Sequence, residues 1–306
     1  MHKTVLLNEA IDNLNLKEDG IYVDCTLGFG GHSGLILKRV KRGFLFAFDQ
    51  DDMAIDYSRE KLSGIGDNFE IIKSNFADLK EELEKRNIKE VDGIVFDLGV
   101  SSPQLDIAER GFSYHNDAML DMRMDTSQSF SAYNVVNEYS YEELVRVIRD
   151  YGEEKYASSI AKNIVKKREE KKIETTLELV DIIRSSMPVK ATMGSHPARK
   201  TFQAIRIEVN NELEVLKIAL ESALDMLKVG GRISVITFHS LEDRIVKETF
   251  KKYSEVDSNL SKLPFIPEEY LPKYKIIANI TPSMEELEEN NRARSSRLRV
   301  IERIKD

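Results

Sequence analysis

Between residues 21 and 97 four short apolar runs alternate with helix-like stretches. The runs are Ile21-Tyr22-Val23, Phe44-Leu45-Phe46-Ala47-Phe48, Phe69-Glu70-Ile71-Ile72 and Val91-Asp92-Gly93-Ile94-Val95-Phe96. Nearly continuous apolar runs, as opposed to strict alternation, are what strands buried on both faces of a parallel sheet require. Three of the runs end in aspartate, at Asp24, Asp49 and Asp97, and the third leads into Ser74-Asn75-Phe76. In a doubly wound α/β sheet the carboxyl ends of the strands border the ligand crevice. Acidic strand tips are therefore the first pointer to chemistry.

The next strand is expected at Arg232–Phe238, introduced by a helix from about Val209 to Lys228 and a turn at Gly230-Gly231. More than a hundred residues separate Asp97 from that helix, far more than one crossover needs. Helical periodicity marks Tyr141–Asp150, Glu153–Arg168 and Thr175–Met187, the last closed by Pro188. The expected organisation is a discontinuous domain, residues 1–105 and 205–306, interrupted by a mostly helical insertion at 106–204. After a helix at Leu241–Tyr253 and a loop bearing Pro264, Pro267 and Pro272, strands at Lys275–Thr281 and Arg297–Ile304 can pair antiparallel. A Rossmann-like parallel sheet closed by an antiparallel pair resembles the class I methyltransferase fold more than the dinucleotide-binding one.

A net charge of -8 argues against a chain that coats nucleic acid indiscriminately, though not against a local basic face. One cysteine, Cys25, precludes an intrachain disulfide and fits a reducing compartment. The run Val5-Leu6-Leu7 is too short for a signal-peptide core, and no run of about 18 apolar residues occurs. A cytoplasmic protein without membrane contact is expected. His2, His32, His115, His196 and His239 show no zinc-like spacing with one another or with Cys25, so no metal is expected.

The densest signal is Asp24-Cys25-Thr26-Leu27-Gly28-Phe29-Gly30-Gly31-His32-Ser33-Gly34. Glycines directly after a strand allow a tight turn and a close backbone approach to a ligand. A helix beginning near Ser33 would add amide donors and a positive dipole end. Gly28-x-Gly30 with Ser33 nearly matches the nicotinamide fingerprint, a weak signal alone, and a glycine turn without ligand is the plain alternative. Asp24 tilts the choice: a carboxylate repels a pyrophosphate but suits an ammonium or a sulfonium. Asp49 is placed to accept from ribose hydroxyls, or to cap the following helix. Phe76 is placed to flank an adenine face, or to fill core.

Asp97-Leu98-Gly99-Val100-Ser101-Ser102-Pro103-Gln104 occupies the position of a methyltransferase catalytic loop. Exocyclic base amines are poor nucleophiles because their lone pair delocalises into the ring. Asp97, or a loop carbonyl, could draw on the N–H and turn the lone pair towards a methyl group. Orientation at near-attack distance can supply about 7–11 kcal/mol. A capped turn is the structural alternative for this loop.

The sequence resembles, nearly end to end, the bacterial 16S rRNA (cytosine-N4)-methyltransferase family (RsmH/MraW). The likeness covers His2-x-x-Val5-Leu6-Leu7-x-Glu9, Tyr22 to Ser33, and Asp97 to Asp106. It continues through Arg110-Gly111-Phe112-Ser113, Leu120-Asp121-Met122-Arg123-Met124-Asp125 and His196-Pro197-Ala198-Arg199. It ends with Phe202-Gln203-Ala204-x-Arg206-Ile207-x-Val209-Asn210, Phe238 to Arg244 and Arg294-Ser295-x-x-Leu298-Arg299. The resemblance implies S-adenosylmethionine as cofactor and methylation of one cytidine N4 in the decoding region of 16S rRNA, with the small ribosomal subunit as partner. It implies cofactor contacts at Gly30, Gly31, His32, Asp49, Phe76, Asp97 and Gln104. The loop itself adds Asp24 and Gly28.

For the RNA, basic residues concentrate at Lys190–Arg206 and Arg292–Lys305, where they can position phosphates. Arg199, Arg206, Arg294 and Arg299 are the candidates, with Ser101, Ser102 and His239. Lys166-Lys167-Arg168 and Lys171-Lys172 are expected to be a solvated face. A nicotinamide-dependent oxidoreductase, a non-catalytic RNA-binding assembly factor and a DNA amino-methyltransferase are the competing readings.

Overall fold

The computed structural model describes residues 4–257, 259–262 and 265–306. His2 and Pro264 lie outside the described residues. By contact the chain divides into two compact units, Met1–Gly99 with Leu213–Asp306, and Val100–Glu212. The sequence reading sets the borders at 106 and 204, inside these bounds on both sides.

The first unit is built on a seven-stranded sheet. Its strands are β1 (Ile21–Asp24), β2 (Phe44–Asp49), β3 (Phe69–Lys73), β4 (Val91–Asp97), β5 (Leu227–Thr237), β6 (Tyr274–Ile280) and β7 (Arg297–Arg303), in the order β3-β2-β1-β4-β5-β7-β6. The first five run parallel, and β7 pairs antiparallel with both β5 and β6. The unit's helices are α1 (Leu7–Asp12), α2 (Gly31–Arg39), α3 (Asp52–Ser63) and α4 (Leu79–Glu84).

The second unit holds α5 (Ser102–Asp106), α6 (Ala132–Glu138), α7 (Tyr141–Asp150), α8 (Ala157–Glu170), α9 (Thr176–Ser185) and α10 (Arg199–Asn210). The chain then returns to the first unit through α11 (Glu212–Asp225), α12 (Ser240–Ser254) and α13 (Met284–Glu289).

Strand side chains alternate between two cores, which explains the unbroken apolar runs. Val23, Phe46, Phe48, Ile94, Phe96 and Val235 face Leu79 and Leu83 of α4, Leu220 and Leu224 of α11 and Phe250 of α12. Tyr22, Leu45, Ala47, Val95 and Ile236 face Ile11, Ile36, Leu37 and Leu62 on the other side. No described helix is long and apolar enough to cross a membrane.

Two elements differ from expectation. The stretch read as one helix from Val209 is broken: Asn211 adopts φ 49°, ending α10 before α11 begins. Asparagine tolerates this left-handed backbone better than most residues. β5 also starts earlier, at Leu227, and takes Gly230-Gly231 into the strand. The register against β4 shifts there: one residue lies between Val91 and Gly93 but four between their partners Leu227 and Arg232, so the glycine pair, left-handed at Gly230, loops out within the strand.

The second unit has its own core, drawn from Leu144 and Ile148 of α7, Ile160 and Ile164 of α8, Leu179 and Ile183 of α9, and Phe202 and Ile205 of α10. Ser140 with Glu143, and Thr175 with Glu178, close reciprocal caps at α7 and α9. An irregular loop is tied to α10 by one side chain. Asn210 Nδ2 donates to the carbonyls of Met122 and Arg206, and its Oδ1 accepts from Met124 N at 2.8 Å. Asn210→Ala leaves these groups unpaired and is expected to cost about 1–3 kcal/mol. The denaturation midpoint should fall accordingly, and an unchanged midpoint would show that the loop is held by other means.

Candidate active site

The sheet register builds the site. Asp24 lies level with Ala47 on β2 and Val95 on β4, so Asp49 and Asp97 stand two residues further along, about 7 Å. The chain leaving β1 runs on between those two tips. Cys25 N donates to Val95 O and Leu27 N to Phe48 O, each at 2.9 Å. Side chains then lock the three acids to this one loop. Asp24, wholly buried, accepts from Thr26 N at 3.0 Å and from Ser33 Oγ at 2.6 Å. Asp97 N donates to Thr26 Oγ1 at 2.6 Å, and that hydroxyl donates to Asp24 Oδ1 at 3.4 Å. Asp49 Oδ2 accepts from Gly28 N at 2.8 Å, and Oδ1 from Asp51 N at 2.9 Å.

The loop backbone is left-handed at Gly28 (φ 48°) and at Gly30 (φ 64°), and Gly30 is the residue before α2. A Cβ on Gly30 would stand 3.3 Å from Ser58 Oγ, so glycine is needed there for backbone and for space. α2 begins at Gly31, two residues before the expected Ser33. From α3, Ser58 Oγ donates to the Gly28 carbonyl and Lys61 Nζ to that of Phe29. Asp51, not Asp49, caps α3, accepting from Met53 N.

Crowding and burial perturb the titratable groups. Burial raises Asp49 to about 6, opposed by the amides of Asp51 and Gly28. Asp97 lies well above the usual carboxylate range, first through burial, then through the charges of Asp24 and Glu242. A quarter (25%) of its side chain is exposed, yet Oδ1 is buried with no hydrogen-bond partner among the described residues. His32 is buried, and burial lowers its pKa against the pull of Asp24. Burial thus favours its neutral form; Nδ1 lies 3.6 Å from Asp97 Oδ2, and Nε2 is buried without a partner among the described residues. Phe76 follows β3, partly buried and edge-on to Phe96 at 5.7 Å.

The structure thus brings Asp24, Gly28, Gly30, Gly31, His32, Asp49 and Asp97 to one loop at the carboxyl ends of β1, β2 and β4, with Phe76 at the end of β3. Gln104 belongs to the second unit, where it shares a capping box with Ser101: Ser101 N donates to Gln104 Oε1 at 3.0 Å and Ser101 Oγ accepts from Gln104 N at 3.4 Å. Ser102 opens α5.

Of the arginines, Arg199 at the start of α10 and Arg294 are exposed. Arg206 pairs with Glu212 through Nε and Nη2, at 2.8 and 2.9 Å. Arg299 pairs with Asp243 in the same way, at 2.7 and 3.0 Å. His239 is the cap of α12: its Nδ1 accepts from Glu242 N, while Glu242 Oε2 accepts from Phe238 N at 2.8 Å.

Sequence reasoning misses Thr26, Ser58 and Glu242, and reads Ser33 as a fingerprint position and helix start without its bond to Asp24. The His239-x-x-Glu242 spacing is a capping-box pattern that could have flagged Glu242. Thr26 and Ser58 signal nothing until the register is known.

A parallel sheet with β7 inserted antiparallel between β5 and β6, and a glycine loop flanked by acidic strand tips, defines a class I methyltransferase. An all-parallel dinucleotide-binding sheet lacks that inserted strand. The chain belongs to the MraW methylase family, whose model matches residues 1–304. Its methyl donor is S-adenosylmethionine.

Among solved structures it is similar to a protein from Clostridium thermocellum provisionally assigned as an rRNA-methylase, at 15% identity and TM-score 0.47, covering 99% of this chain and 100% of that one. An rRNA methylase from Streptococcus thermophilus matches at 14% identity and TM-score 0.45, over 100% and 99% of the two chains. A provisionally assigned methyltransferase from Streptococcus mutans, in complex with SAH, matches at 15% and 0.43, over 99% of each.

The residues present fit a sulfonium donor: three carboxylates favour a cation, and a buried Asp97 oxygen has no hydrogen-bond partner among the described residues. The pKa of Asp49 supplies a test. As a double acceptor for hydroxyls it works only ionised, so affinity for the donor should be full above about pH 7 and fall as pH drops through about 6. Calorimetric titration of S-adenosylmethionine should show the inflection near pH 6 in the wild type, and weaker binding without that inflection in Asp49→Asn. An inflection that survives the substitution would assign it to another group.

Proposed function

We propose that the chain transfers a methyl group to the exocyclic N4 of one cytidine in the decoding region of 16S rRNA, acting on the small ribosomal subunit in the cytoplasm. The observation that carries this reading is Asp97: a carboxylate at the tip of β4 with one buried oxygen that has no hydrogen-bond partner among the described residues. Two residues on, Gly99 makes a left-handed turn (φ 92°), and a Cβ there would stand 3.5 Å from the Phe238 ring. Family membership supports methylation. Chemistry supports an amine, because an acceptor aimed at an N–H is what a delocalised base amine lacks.

S-adenosylmethionine supplies an electrophilic methyl on a sulfonium. Asp24 and the backbone of Gly28, Gly30 and Gly31 form the wall for its amino-acid end, Asp49 accepts from the ribose, and Phe76 flanks the base. Gln104 completes the cofactor set. A cation beside Asp97 favours its carboxylate form, and in that form it accepts from the amine N–H and orients the lone pair. A near-attack arrangement then accounts for most of the rate.

Ser101, Ser102, Arg199, Arg206, His239, Arg294 and Arg299 are assigned to the RNA. In this reading residues 106–204 recognise substrate, and residues 1–105 with 205–306 carry the donor. For Arg206 and Arg299 the assignment requires that their carboxylate partners leave part of each guanidinium accessible to phosphate.

Purified protein, methyl-labelled donor and small ribosomal subunits should yield labelled N4-methylcytidine at one position. Asp97→Asn should lower turnover by about 100-fold or more. Label found on another base, on DNA, or on no nucleic acid would overturn the proposal.

A further inference from the structure

Outside the donor site, the second unit carries an aromatic cluster that the methyl transfer does not use. Tyr114 stacks on His196 with ring centroids 4.5 Å apart and planes inclined by 22°. His115 meets His196 edge-on at 5.0 Å and Tyr114 at 4.6 Å. The stack is anchored from beneath: Phe202 of α10, only 3% exposed, meets the Tyr114 ring edge-on at 5.7 Å. Its outer members are open, with His115 exposed and Tyr114 and His196 partly so. Ala198 N donates to His196 Nδ1 at 3.2 Å, which fixes that ring and leaves the neutral imidazole's proton on Nε2.

The segment beside the cluster is unlike the rest of this acidic chain. Residues 184–200 hold Arg184, Lys190, Arg199 and Lys200 and no carboxylate. Arg184 is near enough to His196 to lower its pKa, behind the larger effects of burial and of His115. Val189 and Met193 in the same segment are 78% and 74% exposed. The nearby acids are Asp181, which pairs with Arg184 at 3.7 Å, and Asp117, which accepts from Leu177 N.

Open rings with cations around them match single-stranded nucleic acid, whose bases stack and whose phosphates need neutralising. We propose that Tyr114, His115 and His196 form a stacking platform for an unpaired nucleobase of the RNA substrate, with Arg184, Lys190 and Arg199 along the adjoining phosphates. This rests on the reading of RNA as substrate and adds to it a second contact point in the second unit.

The test uses the full-length chain and a short oligouridine carrying one 2-aminopurine, whose fluorescence is quenched on stacking. Wild type should quench it. His115→Ala with His196→Ala should abolish the quench and weaken RNA binding about 5- to 150-fold, leaving the donor Kd unchanged. His115→Phe with His196→Phe should restore both quench and affinity. Arg184→Ala with Lys190→Ala should keep the quench but flatten the salt dependence. Quenching and affinity unaffected by the alanine pair would overturn the platform, as would a phenylalanine pair no better than alanine. Protection of residues 189–196 from proteolysis by ribosomal proteins, and not by RNA, would overturn it too. Failure of the wild type to methylate any RNA would sink the functional reading itself. Normal methylation with unaffected alanine variants would sink the platform alone.

Discussion

The site depends on one hydroxyl. Thr26 Oγ1 accepts from the backbone amide of Asp97 and donates to the carboxylate of Asp24, so a single side chain ties the end of β4 to the end of β1. Around it the loop offers Gly28 N to Asp49 and Ser33 Oγ to Asp24. Three acids on neighbouring parallel strands would repel one another in a region of little water. Hydrogen bonds from one loop hold Asp24 and Asp49 in place. Burial, more than repulsion, raises the pKa values of Asp49 and Asp97, with the charge of Asp51 adding to the first and those of Asp24 and Glu242 to the second. A cation entering the site favours the charged form of both.

Much of this was legible in the sequence, for a physical reason. Strands buried on both faces leave unbroken apolar runs, and a doubly wound sheet presents whatever follows each run at one edge. Asp24, Asp49 and Asp97 could therefore be picked out by position alone, together with the glycine loop and the antiparallel close. The register was not legible. Which donor meets which carboxylate depends on Asp24 lying level with Ala47 and Val95, and no local pattern states that. Glu242 acts on Asp97 from 145 residues downstream, a distance only the fold removes.

Other misreadings share a cause. Apolar periodicity runs through Asn211 without a break, so the left-handed residue that ends α10 was hidden inside one long expected helix. The pair Gly230-Gly231 signals a turn between elements as readily as a loop within a strand, and only pairing with β4 decides. Charge and the family likeness drew attention to Arg206 and Arg299, but neither shows the carboxylates of Glu212 and Asp243 that engage them. Conversely, Tyr114 drew no attention in sequence and His115 only as a possible metal ligand, because a stack assembled with His196, 82 and 81 positions away, has no local signature.

A crystal structure of the chain with S-adenosylmethionine bound tests the central claim most directly. The account predicts the sulfonium within about 4–6 Å of a strand-tip carboxylate, ribose hydroxyls on Asp49, and the methyl group turned towards Asp97. A donor bound elsewhere, or one whose ribose leaves Asp49 bonded only to the amides of Gly28 and Asp51, would contradict it.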